Sequence, residues 1–241
     1  MANFFADKDS FNENPIVIRG EEANHIIKVL RMNEGENITI FDGEGNCADC
    51  VIQAIEQKEV IARVLERYES KSEPKLKITL YQGIPKNPKM DLIIQKATEL
   101  GVTRIVPVNT KRIVAKIDKD AKMDRLRRIA FEAAKQCGRA YIPKVENPIS
   151  FEKALEEMKE MDCAIIPYEC EKEGKISNAL TGNEKTIGIL IGPEGGFEED
   201  EANKAEVFGI KRVTLGKRIL RTETAGLIAS ALCLFIAGDM E

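Results

Sequence analysis

Apolar positions in the first third of the chain come in short runs set between polar turns. Ile16-Val17-Ile18 and Asn37-Ile38-Thr39-Ile40-Phe41 have extended character, and residues 47–55 and 59–67 continue it. Asp42-Gly43-Glu44-Gly45-Asn46 is a turn cluster between two such runs and predicts a hairpin. One helix interrupts, over residues 21–32, with Ala23, Ile26, Ile27 and Leu30 on one face. The pattern predicts a small β-barrel-like domain over residues 1–73. The stretch Glu69-Ser70-Lys71-Ser72-Glu73-Pro74 is polar, ends in proline and reads as a linker.

From residue 75 strands and helices alternate. Strands are expected over 76–80, 104–108, 163–167, 186–191 and 212–215. Asn87-Pro88 supplies an N-cap and a first-turn proline for a helix whose face is Met90, Ile93, Ile94, Ala97 and Leu100, closed by Gly101. A second helix, residues 119–137, stops at Gly138. A third begins at Ser150 and buries Phe151, Ala154, Leu155 and Met158. A fourth opens with Glu198-Glu199-Asp200-Glu201, acids that suit the positive end of a helix, and stops at Gly209. The last, from 222 to about 237, is almost wholly apolar, so it is buried in its own domain or against a partner subunit. This alternation predicts an α/β domain with a mostly parallel sheet over 74–241.

Composition narrows the chemistry. The 241 residues include one histidine, His25, which excludes a two-histidine zinc site and leaves a Ser-His-Asp triad without a nucleophile motif. His25 beside an apolar helix face reads as structural or as an RNA contact. Cys47-Ala48-Asp49-Cys50 has metal-like spacing. It lies in an expected strand, where the two thiols face opposite ways, and no second pair follows, so no metal is expected. No apolar signal segment opens the chain, and the apolar run 225–237 is too short to span a bilayer. A soluble cytoplasmic protein with reduced thiols is expected.

The net charge of −4 argues against a nucleic-acid partner until it is resolved along the chain. Residues 1–73 carry 8 basic and 15 acidic side chains, residues 74–150 carry 17 and 7, and residues 151–241 carry 11 and 18. The middle third is therefore at +10 between flanks of −7 each. Salt screens exposed charges beyond roughly 8–10 Å, so a backbone phosphate meets the local patch and not the average. The dense stretch holds Lys111, Arg112, Lys116, Lys119, Lys122, Arg125, Arg127, Arg128, Lys135 and Arg139. It reads either as a solvated helix face or as a phosphate-contacting surface.

Two glycine loops follow expected strands. In Ile191-Gly192-Pro193-Glu194-Gly195-Gly196-Phe197 a buried strand enters a loop whose glycines let backbone approach a ligand. The loop sits at the carboxyl end of a strand, where open α/β sheets bind ligands. It matches neither the P-loop nor the dinucleotide fingerprint. In Leu215-Gly216-Lys217-Arg218-Ile219-Leu220-Arg221-Thr222-Glu223-Thr224-Ala225, N-capping by Thr222 accounts for the threonine but not for the density of Arg218, Arg221 and Glu223 beside it.

These two loops resemble those of the RsmE family, SPOUT-class methyltransferases that modify N3 of a uridine in small-subunit (16S) ribosomal RNA. The resemblance extends to Ile84-Pro85-Lys86, Met90-Asp91, Gln95-Lys96-Ala97-Thr98-Glu99-Leu100-Gly101 and Glu132-Ala133-Ala134-x-Gln136-x-x-Arg139. It also reaches His25-x-x-x-Val29-Leu30-Arg31 and Phe41-Asp42-Gly43, so it covers nearly the whole chain. One departure is at the start, where Ala2-Asn3 stands in place of the Pro-Arg pair the family often has before Phe4-Phe5. That removes one expected RNA contact.

The resemblance implies an N-terminal PUA-like β-barrel, a C-terminal α/β domain with a trefoil knot, and a homodimer. It implies S-adenosylmethionine as cofactor, held by the loops at Leu190, Gly192, Gly195, Gly196, Leu215, Gly216, Ile219 and Leu220. Uracil N3 has a free lone pair only after its proton leaves, and charge then develops on the flanking carbonyl oxygens. Arg221 is the candidate for stabilising that charge. Glu223 and Glu194 are candidates for the base, and water is a third acceptor. RNA contacts are expected from Lys111, Arg112, Arg125, Arg127, Arg128 and Arg139, and from Arg19, Lys28 and Arg31 of the first domain. A same-fold methyltransferase acting on another RNA, such as tRNA, and a non-catalytic RNA-binding assembly factor are the alternatives. A classical Rossmann methyltransferase is disfavoured because no Gly-rich turn follows the first α/β strand, Leu80-Tyr81-Gln82-Gly83-Ile84-Pro85.

Overall fold

The computed structural model describes residues 2–86, 88–115, 117 and 120–240. They divide into two compact units. The first comprises residues up to 73 together with 134–142, and the second comprises 74–133 and 143–241.

The first unit holds a five-stranded sheet. Its strands are β1 (Ala2–Phe5), β2 (Ile16–Ile18), β3 (Asn37–Phe41), β4 (Asn46–Ile55) and β5 (Val60–Glu69), ordered β1-β3-β4-β5-β2. β1 runs parallel to β3 and the other neighbours are antiparallel. Phe4, Ile16, Ile38, Ile40 and Val60 close its core with residual exposures of 0–1%. β1 and the short helix α1 (Lys8–Asn12) lie outside the extended segments read from the sequence. The helix expected over 21–32 is a single α-turn, α2 (Gly20–Asn24), that widens into a π-helical segment, His25–Leu30. The wider turn breaks the 3.6-residue period, so Ala23 and Ile26 are buried while Leu30 is 45% exposed.

The second unit is a seven-stranded, all-parallel sheet between two helical layers. Its strands are β6 (Lys77–Gly83), β7 (Arg104–Asn109), β8 (Lys144–Val145), β9 (Ile149–Ser150), β10 (Cys163–Pro167), β11 (Thr186–Ile191) and β12 (Lys211–Val213). The order is β12-β10-β11-β6-β7-β8, with β9 also on β7. The first strand, β6, is thus internal, and the chain leaves it on both sides; in parallel sheets ligands bind at such a switch of direction.

Strand side chains alternate between the two layers. Ile78, Leu80, Ile187, Ile189 and Ile191 pack with α3 (Lys89–Leu100), α4 (Asp120–Cys137), α6 (Ile176–Ala179) and α8 (Thr222–Ile236). Tyr81, Leu190 and Ile166 pack with α5 (Phe151–Lys159) and α7 (Glu199–Val207). Pro88 caps α3, which starts at Lys89, one residue later than the sequence pattern places its first turn; Asn87 lies outside the described residues. Lys116 and Lys119 of the basic run also lie outside them. Among the described residues no helix is long and apolar enough to cross a membrane, and no group of three metal-ligating side chains gathers.

Candidate functional site

β10, β11 and β12 all end at one edge of the sheet, and a cleft of about 470 Å³ opens there. It is walled by Pro167 to Glu169, by 191–197, and by 214–222 with Ala225 and Lys89.

The first glycine loop, 191–197, is held from every side. The Thr222 hydroxyl donates to the Gly192 carbonyl at 2.6 Å and accepts from Gln82 Nε2 at 2.9 Å. Thr222 is the first residue of α8 and gives no side-chain cap; Arg221 stands at the cap position. Its hydroxyl instead joins the ends of β6, β11 and α8. Behind the loop, a Cβ on Gly83 would fall 2.8 Å from Pro193 N and 2.9 Å from Ile191 O. Glycine at 83 therefore lets the two backbones touch. A Cβ on Gly192 would meet the Gly196 backbone at 3.1 Å, and one on Gly195 would meet the Arg112 stem at 3.1 Å. Gly196, at φ +65°, lies under the Glu169 carboxylate.

The second loop differs. Gly216, at φ +105°, has open space where a side chain would be. Ile219 is 83% exposed. Lys217, Arg218 and Arg221 are exposed, and among the described residues their side chains have no hydrogen-bond or ion-pair partner.

One cation joins the two candidate bases. Lys89 Nζ lies 3.2 Å from Glu194 Oε1 and 3.0 Å from Glu223 Oε2. Glu194 also accepts from the Lys86 backbone N–H at 3.0 Å. Burial opposes ionisation of both carboxyls, but backbone N–H groups and the Lys89 ammonium outweigh it. Both carboxyls are held below the usual carboxylate range. Hydrogen bonds that Lys89 donates, to Glu223 first and then to Glu194, raise its value against its own desolvation.

Of the residues assigned to the cofactor, seven line the cleft: Gly192, Gly195, Gly196, Leu215, Gly216, Ile219 and Leu220. Leu190 does not. Its side chain points to the opposite layer, with Tyr81 and Phe151, because neighbouring strand residues face opposite ways; Ile191 takes the cleft position. Arg221 lines the cleft with Glu194, while Glu223 reaches it through Lys89. Lys89, Gln82, Gly83, Tyr168 and Glu169 were not singled out by the sequence pattern. Only Gly83, a glycine closing an apolar strand, carried a signal that could have marked it.

The basic residues divide. Arg139 is 5% exposed, ion-paired to Glu73 at 2.8 Å and set over the Tyr141 ring, so burial removes it from any surface an RNA could reach. Lys111 pairs with Glu198 and Asp200, and Arg112 donates to the Gly195 carbonyl. Arg125 pairs with Asp91 and Arg127 with Asp124, both while exposed, and Arg128 is exposed. In the first unit Arg19 pairs with Glu59, and Lys28 and Arg31 are exposed at the tip of the π-helical segment. His25 is half-buried, with Nδ1 3.0 Å from Lys135 Nζ and its ring edge-on to Phe4.

Residues 71–234 match the model of an RNA methyltransferase domain, and residues 18–65 match that of an RNA methyltransferase PUA domain. A ribosomal RNA small subunit methyltransferase E from Bacillus subtilis is 37% identical, covering 95% of this chain and 94% of the relative. The crystal structure of a ribosomal RNA small subunit methyltransferase E from Neisseria gonorrhoeae, bound to S-adenosyl methionine, is 33% identical. It superposes with a TM-score of 0.85 over 96% of both chains. A methyltransferase from Legionella pneumophila, in complex with the same cofactor, gives 31% identity and a TM-score of 0.83, again over 96% of both. The chain belongs to the ribosomal RNA small subunit methyltransferase E family.

Proposed function

We propose that this chain transfers the methyl group of S-adenosylmethionine to N3 of a uridine in 16S ribosomal RNA. The observation that carries the reading is the cleft at the carboxyl edge of the sheet, where two glycine loops meet the exposed Arg221, whose side chain has no hydrogen-bond or ion-pair partner among the described residues, at the start of α8. That the chain is an RNA methyltransferase dependent on this cofactor follows from its family.

The cleft suits the cofactor. Its volume lies within the range of small-molecule sites, roughly 300–1,000 Å³. Ile191, Leu215 and Leu220 offer apolar walls for an adenine, and the backbone groups of both loops offer donors and acceptors for its edge. Gly216 leaves the space that a ligand atom would take. When bound, the cofactor supplies a methyl group on a cationic sulfur, an electrophile that needs no further activation.

The nucleotide needs more. Arg221 would stabilise charge on the uracil carbonyl oxygens as N3 loses its proton. Glu194 and Glu223 are ionised at neutral pH, as an acceptor must be, but their lowered values make them weak bases. A carboxylate acceptor gives a kcat/KM that is flat above the carboxylate range. Transfer to hydroxide gives a tenfold rise per pH unit.

RNA would lie along Arg125, Arg127 and Arg128, with Arg19, Lys28 and Arg31 contributing from the PUA domain. Reversing all three charges of the α4 group should weaken RNA binding and flatten its salt dependence; unchanged affinity would remove this face from the account. The apolar side chains left open on α3 and α8, Leu92 (44% exposed), Ile228 (42%) and Phe235 (61%), support a homodimer, and sedimentation would measure it.

The deciding experiment supplies labelled cofactor with purified 30S subunits lacking the modification, or with tRNA. Label in 30S RNA, recovered as N3-methyluridine, is the expected result. Label in tRNA or at another base position overturns the substrate, and no label in either overturns the activity.

A further inference from the structure

Arg112 is an expected RNA contact, yet among the described residues its side chain is directed at Gly195 of the first glycine loop and at Glu198 just beyond it. Its Nη1 donates to the Gly195 carbonyl at 2.8 Å. Its Cβ and Cδ lie 3.1 and 3.4 Å from where a Gly195 side chain would begin. Its Nε lies 3.9 Å from Glu198 Oε1. The neighbouring residue anchors the same segment. The Lys111 backbone N–H donates to Glu201 Oε1 at 3.0 Å, and Glu201, 3% exposed, accepts the Glu198 backbone N–H on its other oxygen at 2.9 Å. Lys111 Nζ closes the join on Glu198 and Asp200. The segment after β7 is thus docked on the start of α7, with Arg112 directed at the loop that walls the cleft.

We propose that Arg112 is a positioning residue for the cofactor cleft. Its stem fills the face of Gly195, and its guanidinium fixes the orientation of the Gly195–Gly196 peptide, so that the loop is already in its binding shape. A hydrogen bond from a charged donor is the stronger kind, and the planar guanidinium loses little freedom in making it. Gly195 is a glycine, on this account, because Arg112 occupies the place of its side chain. This inference rests on the reading of the cleft as the S-adenosylmethionine site.

The test compares wild type, Arg112→Ala and Arg112→Lys in calorimetric titration with S-adenosylmethionine, in RNA binding across a salt series, and in steady-state turnover. Arg112→Ala should raise Kd and KM for the cofactor about tenfold or more, with kcat at saturating cofactor within about twofold of wild type. RNA affinity and its salt slope should not change. Arg112→Lys keeps a stem and a donor but loses the planar fork, so it should raise Kd for the cofactor by less, about two- to fivefold. It also serves as the informative variant if Arg112→Ala does not fold. Cofactor affinity unchanged in either variant overturns the proposal. So does a loss of RNA affinity with a salt slope reduced by about one, the sign of a phosphate contact. A wild-type chain that binds no cofactor overturns the function instead, whatever Arg112 does.

Discussion

The two glycine loops look alike as sequence and are built differently. In 191–197 the space beside each glycine is taken by the protein itself: Gly192 by Gly196, Gly195 by Arg112, Gly196 by Glu169. Its carbonyls and carboxylate are bound by Thr222, Arg112, Lys86 and Lys89. In 215–221 Gly216 faces open space and three cations stand without partners among the described residues. The first loop is a finished wall, and the second still has its contacts to make. Glycine in a strand-to-helix loop therefore has two distinct uses, letting a loop fold onto itself and leaving room for something else. Only the structure tells them apart.

The largest effect should come from the second loop's side chains. Arg221→Ala should lower kcat about 10²-fold or more while leaving cofactor affinity near wild type, measured by single-turnover transfer and titration. A fall of less than about threefold would remove its electrostatic role.

Backbone changes sharpen the contrast. Gly83→Ala drives a methyl group into the Pro193 and Ile191 backbone and must displace the first loop, at about 1–3 kcal/mol. Cofactor affinity should fall about 10- to 100-fold. Gly216→Ala meets no atom of the free chain and costs it only the left-handed backbone, about 1–2 kcal/mol, so its loss of stability should be the smaller of the two, while its methyl enters the space left for the cofactor and lowers affinity as well. Equal losses of stability would end the distinction between the loops.

Removing the shared cation is subtler. Glu194 and Glu223 have folded values below their unfolded ones, so their contribution to stability is present above the ordinary carboxylate range. It is lost as pH falls through the folded values. Lys89→Met should therefore cost about 1–2 kcal/mol at pH 7, between an exposed and a buried pair. The gap from wild type should close on acidification in chemical denaturation. A gap constant with pH would mean that Lys89 matters through packing alone.

Much of the fold is legible because it follows periodicity. The strands 163–167 and 186–191 each follow a charged residue, Asp162 or Lys185, and emerge residue for residue. Ser150 caps α5 as its hydroxyl requires, accepting from the Lys153 N–H. What escapes the sequence is what depends on distant partners. The π-helical turn at 25–30 moves Leu30 to solvent against its period, and β1 exists only by lying along β3. The charge count located a basic third but not its pairings, so Arg139, buried on Glu73, looks the same in sequence as exposed Arg128. Nothing in the sequence marks Lys89, because a cation in the first turn opposes the helix dipole. Two carboxylates, one from the loop after β11 and one from α8, stabilise it there.

Amide hydrogen exchange of the two loops, with and without S-adenosylmethionine, separates a loop that is already built from one that the cofactor completes. Amides of 191–197 should be protected before the cofactor is added and change little. Those of 215–221 should exchange fast alone and slow markedly when it binds. Fast exchange of 191–197 in the free chain, or no protection of 215–221 by the cofactor, would contradict the distinction between the loops.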